Sequence, residues 1–299
     1  MNMGFAAECM ACIVGKQLRA LPEEWPDAQR SDYLRDVMRI ILDADPGLPA
    51  PRVSWRLEAL ARERGVPRRD FRSIKRHWNR LMMDLAPQLR ADIEAAPDPL
   101  ARAMQYALTA NYIDFGALAE VTESRLAALL EEAPENPHHA AEYAHFRRDL
   151  ESAGSLAYVT DNCGKIVADM LLIEQLRRLR PALAVTVILR GQEVLNDATP
   201  EDARMVGLDA VATVLGNGNG MTGTFRDAMD PLSRSALEGA DIVISKGQAN
   251  FESLGGSGLN AYFLFLCKCD RFRRHFHMTR LQGVLANERR LHQNPEANA

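Results

Sequence analysis

Two hydrophobic rhythms divide the chain near residue 155. Before it, apolar residues return every three to four positions and β-branched runs are scarce. Tyr33, Leu34, Val37, Ile40 and Ile41 make one stripe. Phe71, Ile74, Trp78, Leu81 and Met82 make a second, and Leu118, Val121, Leu126, Leu129 and Leu130 a weaker third. That spacing places side chains on one face of a helix, and the many prolines, among them Pro46, Pro67, Pro97 and Pro134, punctuate the segment. The pattern predicts a helical N-terminal region over residues 1–150, built of about six helices.

After residue 155 the rhythm shortens. Leu156–Thr160, Ala184–Leu189, Ala210–Leu215, Asp241–Ser245 and Tyr262–Cys267 are compact apolar runs, separated by stretches of helical character such as Met170–Leu179. Strands that alternate with helices imply right-handed crossovers, hence an α/β fold with a mainly parallel sheet flanked by helices. The expected α/β domain covers 151–285. The polar composition of 286–299 marks a C-terminal tail that frays.

The residues just past each strand carry the chemistry. The first strand runs into Asp161-Asn162, the second into Arg190-Gly191 and then Asn196-Asp197. The third runs into Gly216-Asn217-Gly218-Asn219-Gly220 and the fourth into Lys246-Gly247-Gln248. Ligands of open parallel sheets bind beyond the carboxyl ends of the strands, so the fold gathers these groups at one edge. Asp161, Asn162 and Asp197 offer oxygen donors only, a set suited to Mg²⁺ or Mn²⁺, with Co²⁺ or Ni²⁺ as further candidates. A divalent metal there polarises a phosphate and lowers the pKa of an attacking water. Lys246 and Arg190 supply charge to neutralise a phosphoryl group. Gly164 lets backbone N–H groups approach an anion at a helix start. Each feature also has a plainer explanation. Asp161-Asn162 and Asn196-Asp197 both read as helix N-caps, and Lys246-Gly247 as a solvated turn.

Charge and composition narrow the partners. Net charge is −4, from 36 basic and 40 acidic residues, so a global basic field for nucleic acid is absent. The arginines between residues 52 and 80 are interrupted by Glu58, Glu63 and Asp70 and read as a solvated helix surface. No apolar stretch approaches the ~18 residues of a spanning helix, so no membrane partner is expected. The first residues, with Glu8 and Cys9 and no basic front, do not resemble a signal peptide. Five cysteines in 299 residues do not suggest a disulfide scaffold, so a cytoplasmic setting is expected. Cys9, Cys12, Cys267 and Cys269 are candidates for a zinc or iron–sulfur site, a redox pair, or inert thiols. His138, His139, His275 and His277 follow no strand and are read as surface.

Three blocks resemble the signatures of the damage-control phosphatases, a family long catalogued as a domain of unknown function: DNCGKIVADMLLIEQL (161–176), RGQEVLNDATPEDA (190–203) and SKGQANFESL (245–254). NYIDFG (111–116) is similar to a fourth block, and Cys9-Met10-Ala11-Cys12 resembles a branch common in archaea and bacteria. The likeness spans roughly residues 9 to 270. It implies a metal-dependent phosphatase of a small phosphorylated metabolite, with metal ligands at Asp161, Asn162 and Asp197 and a phosphate-contacting Lys246. It also implies that Asn111 and Asp114, three apart and so on one helical face, border the site. The family's usual Ala-Gly-Glu after Asp-Asn is here Cys163-Gly164-Lys165, a reversal of charge that bears on substrate choice. A cation in the first turn opposes the helix dipole. Lys165 therefore either points into solvent or binds a substrate anion.

The residues implied for the reaction are Asp161, Lys246 and Asp197, with Arg190, Asn111, Asp114, Gly164, Lys165, Gly247 and Asn217 around the substrate. Both direct attack by water and transient phosphorylation of an aspartate are compatible with them. Two rivals remain at this point. One is a methyltransferase-like cofactor binder that uses the glycine-rich 216–220 segment. The other is a non-catalytic phosphometabolite-binding protein on the same fold. Oligomeric state is open.

Overall fold

Each of the five apolar runs contributes a strand in the computed structural model, which describes residues 4–114, 121–132 and 139–291. Seven helices precede the sheet among the described residues: α1 (Ala7–Ala20), α2 (Asp27–Leu42), α3 (Ala50–Glu63), α4 (Arg72–Ala95), α5 (Pro99–Thr109), α6 (Glu123–Glu132) and α7 (Ala140–Ser152). Next come β1 (Ser155–Val159), α8 (Lys165–Leu179), β2 (Ala184–Leu189), α9 (Pro200–Val206), β3 (Thr213–Gly216) and α10 (Pro231–Glu238). They lead to β4 (Ile242–Lys246), α11 (Gln248–Leu254), β5 (Ala261–Leu266), α12 (Asp270–Phe276), β6 (Gly283–Asn287) and α13 (Glu288–Leu291). The third strand is shorter than its composition suggests, because Leu208–Ala210 close a tight helical turn before it.

The sheet order is β3-β2-β1-β4-β5-β6, parallel except for β6, which runs antiparallel to β5. Strand order reverses direction between β1 and β4, and a crevice opens at such a switch point. The strands are apolar on both faces because both faces are covered. Leu156, Tyr158, Ile244, Tyr262 and Leu264 pack under α4, α5, α7 and α8. Val159, Val243, Phe263 and Phe265 pack on the opposite face against Phe251 of α11 and Phe272 of α12. The Phe251 and Phe263 rings meet edge-on at 4.8 Å, and each such pair adds about 0.5–1.5 kcal/mol beyond its burial. Helices α1, α2 and α3 close on a separate core around Tyr33, Val37, Val53 and Leu57.

Two expectations are corrected by the fold. The polar tail does not begin at 286: Ala286 and Asn287 are buried in β6, and Glu288 is buried with its carboxylate accepting from Ser257 Oγ and Gly258 N. Residues 292–299 lie outside the described residues. His139 is not a free surface residue, for its Nε2 lies against β6, within hydrogen-bond distance of the Gly283 carbonyl or the Leu285 N–H according to its tautomer; His138 and Leu118 fall outside the described residues. No helix among the described residues is long and apolar enough to cross a membrane.

Candidate active site

The loops after β1 and β2 are zipped together by backbone. Asn162 and Asp197 form an isolated antiparallel bridge, Ala198 N donates to the Asp161 carbonyl at 2.7 Å, and Cys163 N donates to that of Asn196 at 2.8 Å. Leu195, just before, holds φ 46°, a conformation that non-glycine residues adopt only when their surroundings impose it. Asp161, Asn162 and Asp197 are thereby brought together, all three buried.

None of them caps a helix. The N-cap of α8 is Gly164, and α9 is capped by Thr199 in a capping box with Asp202. The plainer explanations of both motifs therefore fail. Asn162 donates its amide to Asn196 Oδ1 (3.0 Å) and Asp197 Oδ1 (2.9 Å), which turns its own Oδ1 away from them. Asn162 Oδ1 and Asp161 Oδ1 are buried without a hydrogen-bond partner. A buried oxygen left unpaired costs about 1–3 kcal/mol, so two such atoms on neighbouring residues call for a ligand that donates charge or hydrogen bonds.

Lys165 is fully buried, and its ammonium lies 2.5 Å from Asp161 Oδ2, one helical turn back. The solvent-facing explanation of this lysine is overturned. Burial pushes the Asp161 carboxyl up, but Lys165, with Lys246 and Lys268 behind it, outweighs burial and holds it below the usual carboxylate range. Burial raises the Asp197 carboxyl, against the pull of Arg190.

Arg190 is committed to the protein. Nε bonds Asp197 Oδ2 at 2.7 Å, Nη1 bonds the Gly223 carbonyl and Thr224 Oγ1, and Nη2 bonds Asn250 Oδ1. Its role in this geometry is to hold Asp197, in place of the free phosphate cation expected. Lys246 is likewise fully buried, donating to the Ala107 carbonyl at 2.7 Å and to Asp169 Oδ1 at 2.6 Å. Two of its three protons are therefore taken, where a phosphate-facing ammonium was expected. Gly247, next to it, has φ 83° and ψ 157°, and a Cβ there would collide with Asp161 Oδ2. The close approach explains why this turn is glycine.

Asn111 and Asp114 do not share a helical face, since the tight turn of Ala110–Tyr112 ends the helix before Asp114. Asn111 donates to the carbonyls of Ala107 and Leu108 and leaves its Oδ1 buried and unpaired. Asp114 pairs with Lys268. The Gly164 N–H donates to Asn79 Oδ1 at 2.7 Å, so it is not open to an anion. Asn217 Oδ1 accepts from Gly191 N and Asn219 N, tying the loops after β2 and β3 to each other. A Cβ at Gly191 would collide with Gly218 backbone, so the glycine-rich segment is packed against the loop after β2.

Several site residues escaped the sequence reading. Lys268 follows β5 as the others follow their strands, and its nearly buried ammonium is lowered by burial, against Asp114, to about 8. Asp169 sits one turn beyond Lys165 on α8 and accepts from Tyr158 Oη as well as from Lys246. Asn250 on α11 joins Arg190 to the Thr160 and Lys246 carbonyls. Among the described residues no cluster of three or more His, Cys, Asp or Glu side chains is arranged for a metal, and the four candidate cysteines are free thiols. Cys9 instead receives a hydrogen bond from Arg271.

Residues 5–280 match the family model of the damage-control phosphatase ARMT1-like domain. A damage-control phosphatase of Archaeoglobus fulgidus is 30% identical over 207 residues, which are 68% of this chain and 70% of the relative. One of Pyrococcus horikoshii is 29% identical over 177 residues, 58% of this chain and 59% of the relative. The crystal structure of a DUF89 family protein from Pyrococcus horikoshii superposes with a TM-score of 0.78, covering 96% of this chain and 100% of that one at 21% identity.

Proposed function

This chain belongs to the damage-control phosphatase ARMT1-like family, and on that footing we propose that it hydrolyses the phosphomonoester of a small phosphorylated metabolite with a divalent metal held by Asp161, Asn162 and Asp197. The observation that carries the proposal is the pair of buried, unpartnered oxygens, Asp161 Oδ1 and Asn162 Oδ1, beside the Asp197 carboxylate. That donor set is hard oxygen throughout and fits Mg²⁺ or Mn²⁺, with Co²⁺ and Ni²⁺ as alternatives. A bound divalent ion supplies Lewis-acid polarisation of phosphorus and a more acidic water.

The chain's own residues do the rest. Arg190 and the Asn162 amide fix the orientation of Asp197. Gly247 lets the Asp161 carboxylate sit hard against the turn after β4. Of the three cations whose fields reach Asp161, Lys165 in the first turn of α8 and Lys268 just past β5 would stabilise charge on a transferred phosphoryl group. Lys246 acts through Asp169, fixing α8 against β4. The backbone contact of Gly191 with Gly218 disfavours the cofactor-binding alternative.

A screen of phosphorylated metabolites with Mg²⁺, Mn²⁺, Co²⁺ and Ni²⁺, before and after EDTA, tests this. Release of inorganic phosphate that EDTA abolishes and a divalent ion restores is expected. Full turnover in chelated protein rejects the metal; phosphate binding without turnover on any substrate favours a non-catalytic binder.

A further inference from the structure

Three buried acids and the half-buried Asp114 converge on the site, and each pairs with a cation of the chain. Asp161 pairs with Lys165 at 2.5 Å, Asp197 with Arg190 at 2.7 Å, Asp169 with Lys246 at 2.6 Å, and Asp114 with Lys268. The members sense one another: Lys165, Lys246 and Lys268 all act on Asp161, while Asp161 and Asp114 both act on Asp197. An acid–base pair sums to zero whichever partner keeps the proton. Among the described residues, then, the cluster is electrically balanced as it stands.

Balance changes what the site accepts. Two unpaired carboxylates would draw in a divalent cation alone. Here a lone M²⁺ brings two uncompensated charges into a buried, low-dielectric place, where they are expensive. Lys165 sharpens the effect, because it occupies Asp161 Oδ2 and leaves the ion only Oδ1 of that carboxylate. A phosphomonoester dianion alone has the mirror-image difficulty. Together the two sum to zero.

We infer that a divalent metal and a phosphomonoester dianion enter this site as a charge-matched couple, each raising the affinity of the other, because the four acid–cation pairs around it already cancel. The inference rests on the phosphatase proposal and deepens it: metal and dianion depend on each other for binding, and a singly charged diester does not replace the dianion. Affinity coupling is reciprocal, so one factor describes both directions.

Mn²⁺ binding to the purified chain, followed by the electron paramagnetic resonance of the free ion, tests it. Inorganic phosphate and dimethyl phosphate serve as the dianionic and monoanionic probes, with Mn²⁺–phosphate association in buffer subtracted. Saturating phosphate is expected to tighten Mn²⁺ by about tenfold or more, within the usual range of coupling between sites. Mn²⁺ should tighten phosphate by the same factor, and dimethyl phosphate should leave Mn²⁺ affinity unchanged. Lys165→Met, which keeps the stem and removes the charge, is expected to tighten Mn²⁺ alone and to shrink the gain from phosphate. Should that variant fail to fold, the wild-type titrations decide. Equal Mn²⁺ affinity with and without phosphate, or equal tightening by dimethyl phosphate, overturns the charge matching and leaves the phosphatase proposal standing. A chain that binds neither ion overturns both.

Discussion

Gly247 lies under the Asp161 carboxylate so closely that no Cβ fits between its backbone and Asp161 Oδ2. Its φ of 83° with ψ of 157° belongs to a region that is essentially glycine-only. Gly247→Ala is therefore expected to lose about 1–3 kcal/mol of stability from backbone strain. It should lose more activity than that stability loss explains, since the collision displaces Asp161 itself. Urea unfolding and kcat on the same preparation separate the two. A variant with full kcat would show that the carboxylate's position is not critical.

Lys246 and Asp169 are both fully buried. Lys246→Met leaves the Asp169 carboxylate with Tyr158 Oη and no cation, and breaking a buried pair from one side costs about 3–5 kcal/mol. Adding Asp169→Leu removes the orphaned charge, so the double variant is expected to recover much of that loss. A denaturation cycle over the two single variants and the double reads the coupling. Simple additivity would mean that the two side chains do not depend on each other.

The Lys268 ammonium titrates near 8 in the folded chain, against 10.5 in the open chain. Its folded pKa is depressed, so between about pH 8 and 10.5 the unfolded chain binds more protons, and this group's contribution to stability rises with pH across that window. Substrate binding should move the opposite way. As the ammonium is lost above about pH 8, KM for a phosphomonoester rises. Lys268→Arg, whose charge does not titrate there, is expected to move that rise to higher pH. A KM profile identical in the two proteins would remove Lys268 from substrate binding.

Glu252 on α11 is nearly buried, 3.6 Å from Arg271, and burial lifts its carboxyl to about 7 in spite of that partner. Its folded pKa lies above the ordinary 4.5, so the folded chain holds more protons between about pH 4.5 and 7 and loses stability as pH rises through that window. Glu252→Gln mimics the protonated form. It should raise Tm relative to the parent at pH 8 and do little at pH 5. A fall in Tm at pH 8 would mean that the Arg271 pair outweighs burial.

The strands were legible because sheets covered on both faces require short apolar runs, and all five runs supplied one. The positions just past the first four strands then yielded Asp161, Asn162, Arg190, Asp197, Asn217, Lys246 and Gly247. Lys268 stands in the same relation to β5 and was reachable by the same rule. β6 was not legible, because Gly283–Asn287 offers only Val284, Leu285 and Ala286 as apolar residues and lies where the composition turns polar. The direction of Lys165 was hidden too. Helical spacing allows it to reach Asp161 four residues back, but solvent competes for an ammonium unless the fold buries it, as it does here. The commitments of Arg190 and Lys246 depend on carbonyls of Gly223 and Ala107, which no side-chain pattern announces.

The bridge between Asn162 and Asp197 spans 35 positions, while the pairing of Asp114 with Lys268 spans 154. The first needs only β1 and β2 side by side; the second must wait until β5 has docked beyond β4. Parallel sheets gather such distant contacts slowly, because chain closure precedes any reward. During refolding, competence to bind Mn²⁺ and phosphate together, which draws on Lys268, should therefore lag behind the recovery of helical circular dichroism. The late appearance of that competence times the arrival of the fifth strand, which makes the chain its own stopwatch for the last stage of assembly.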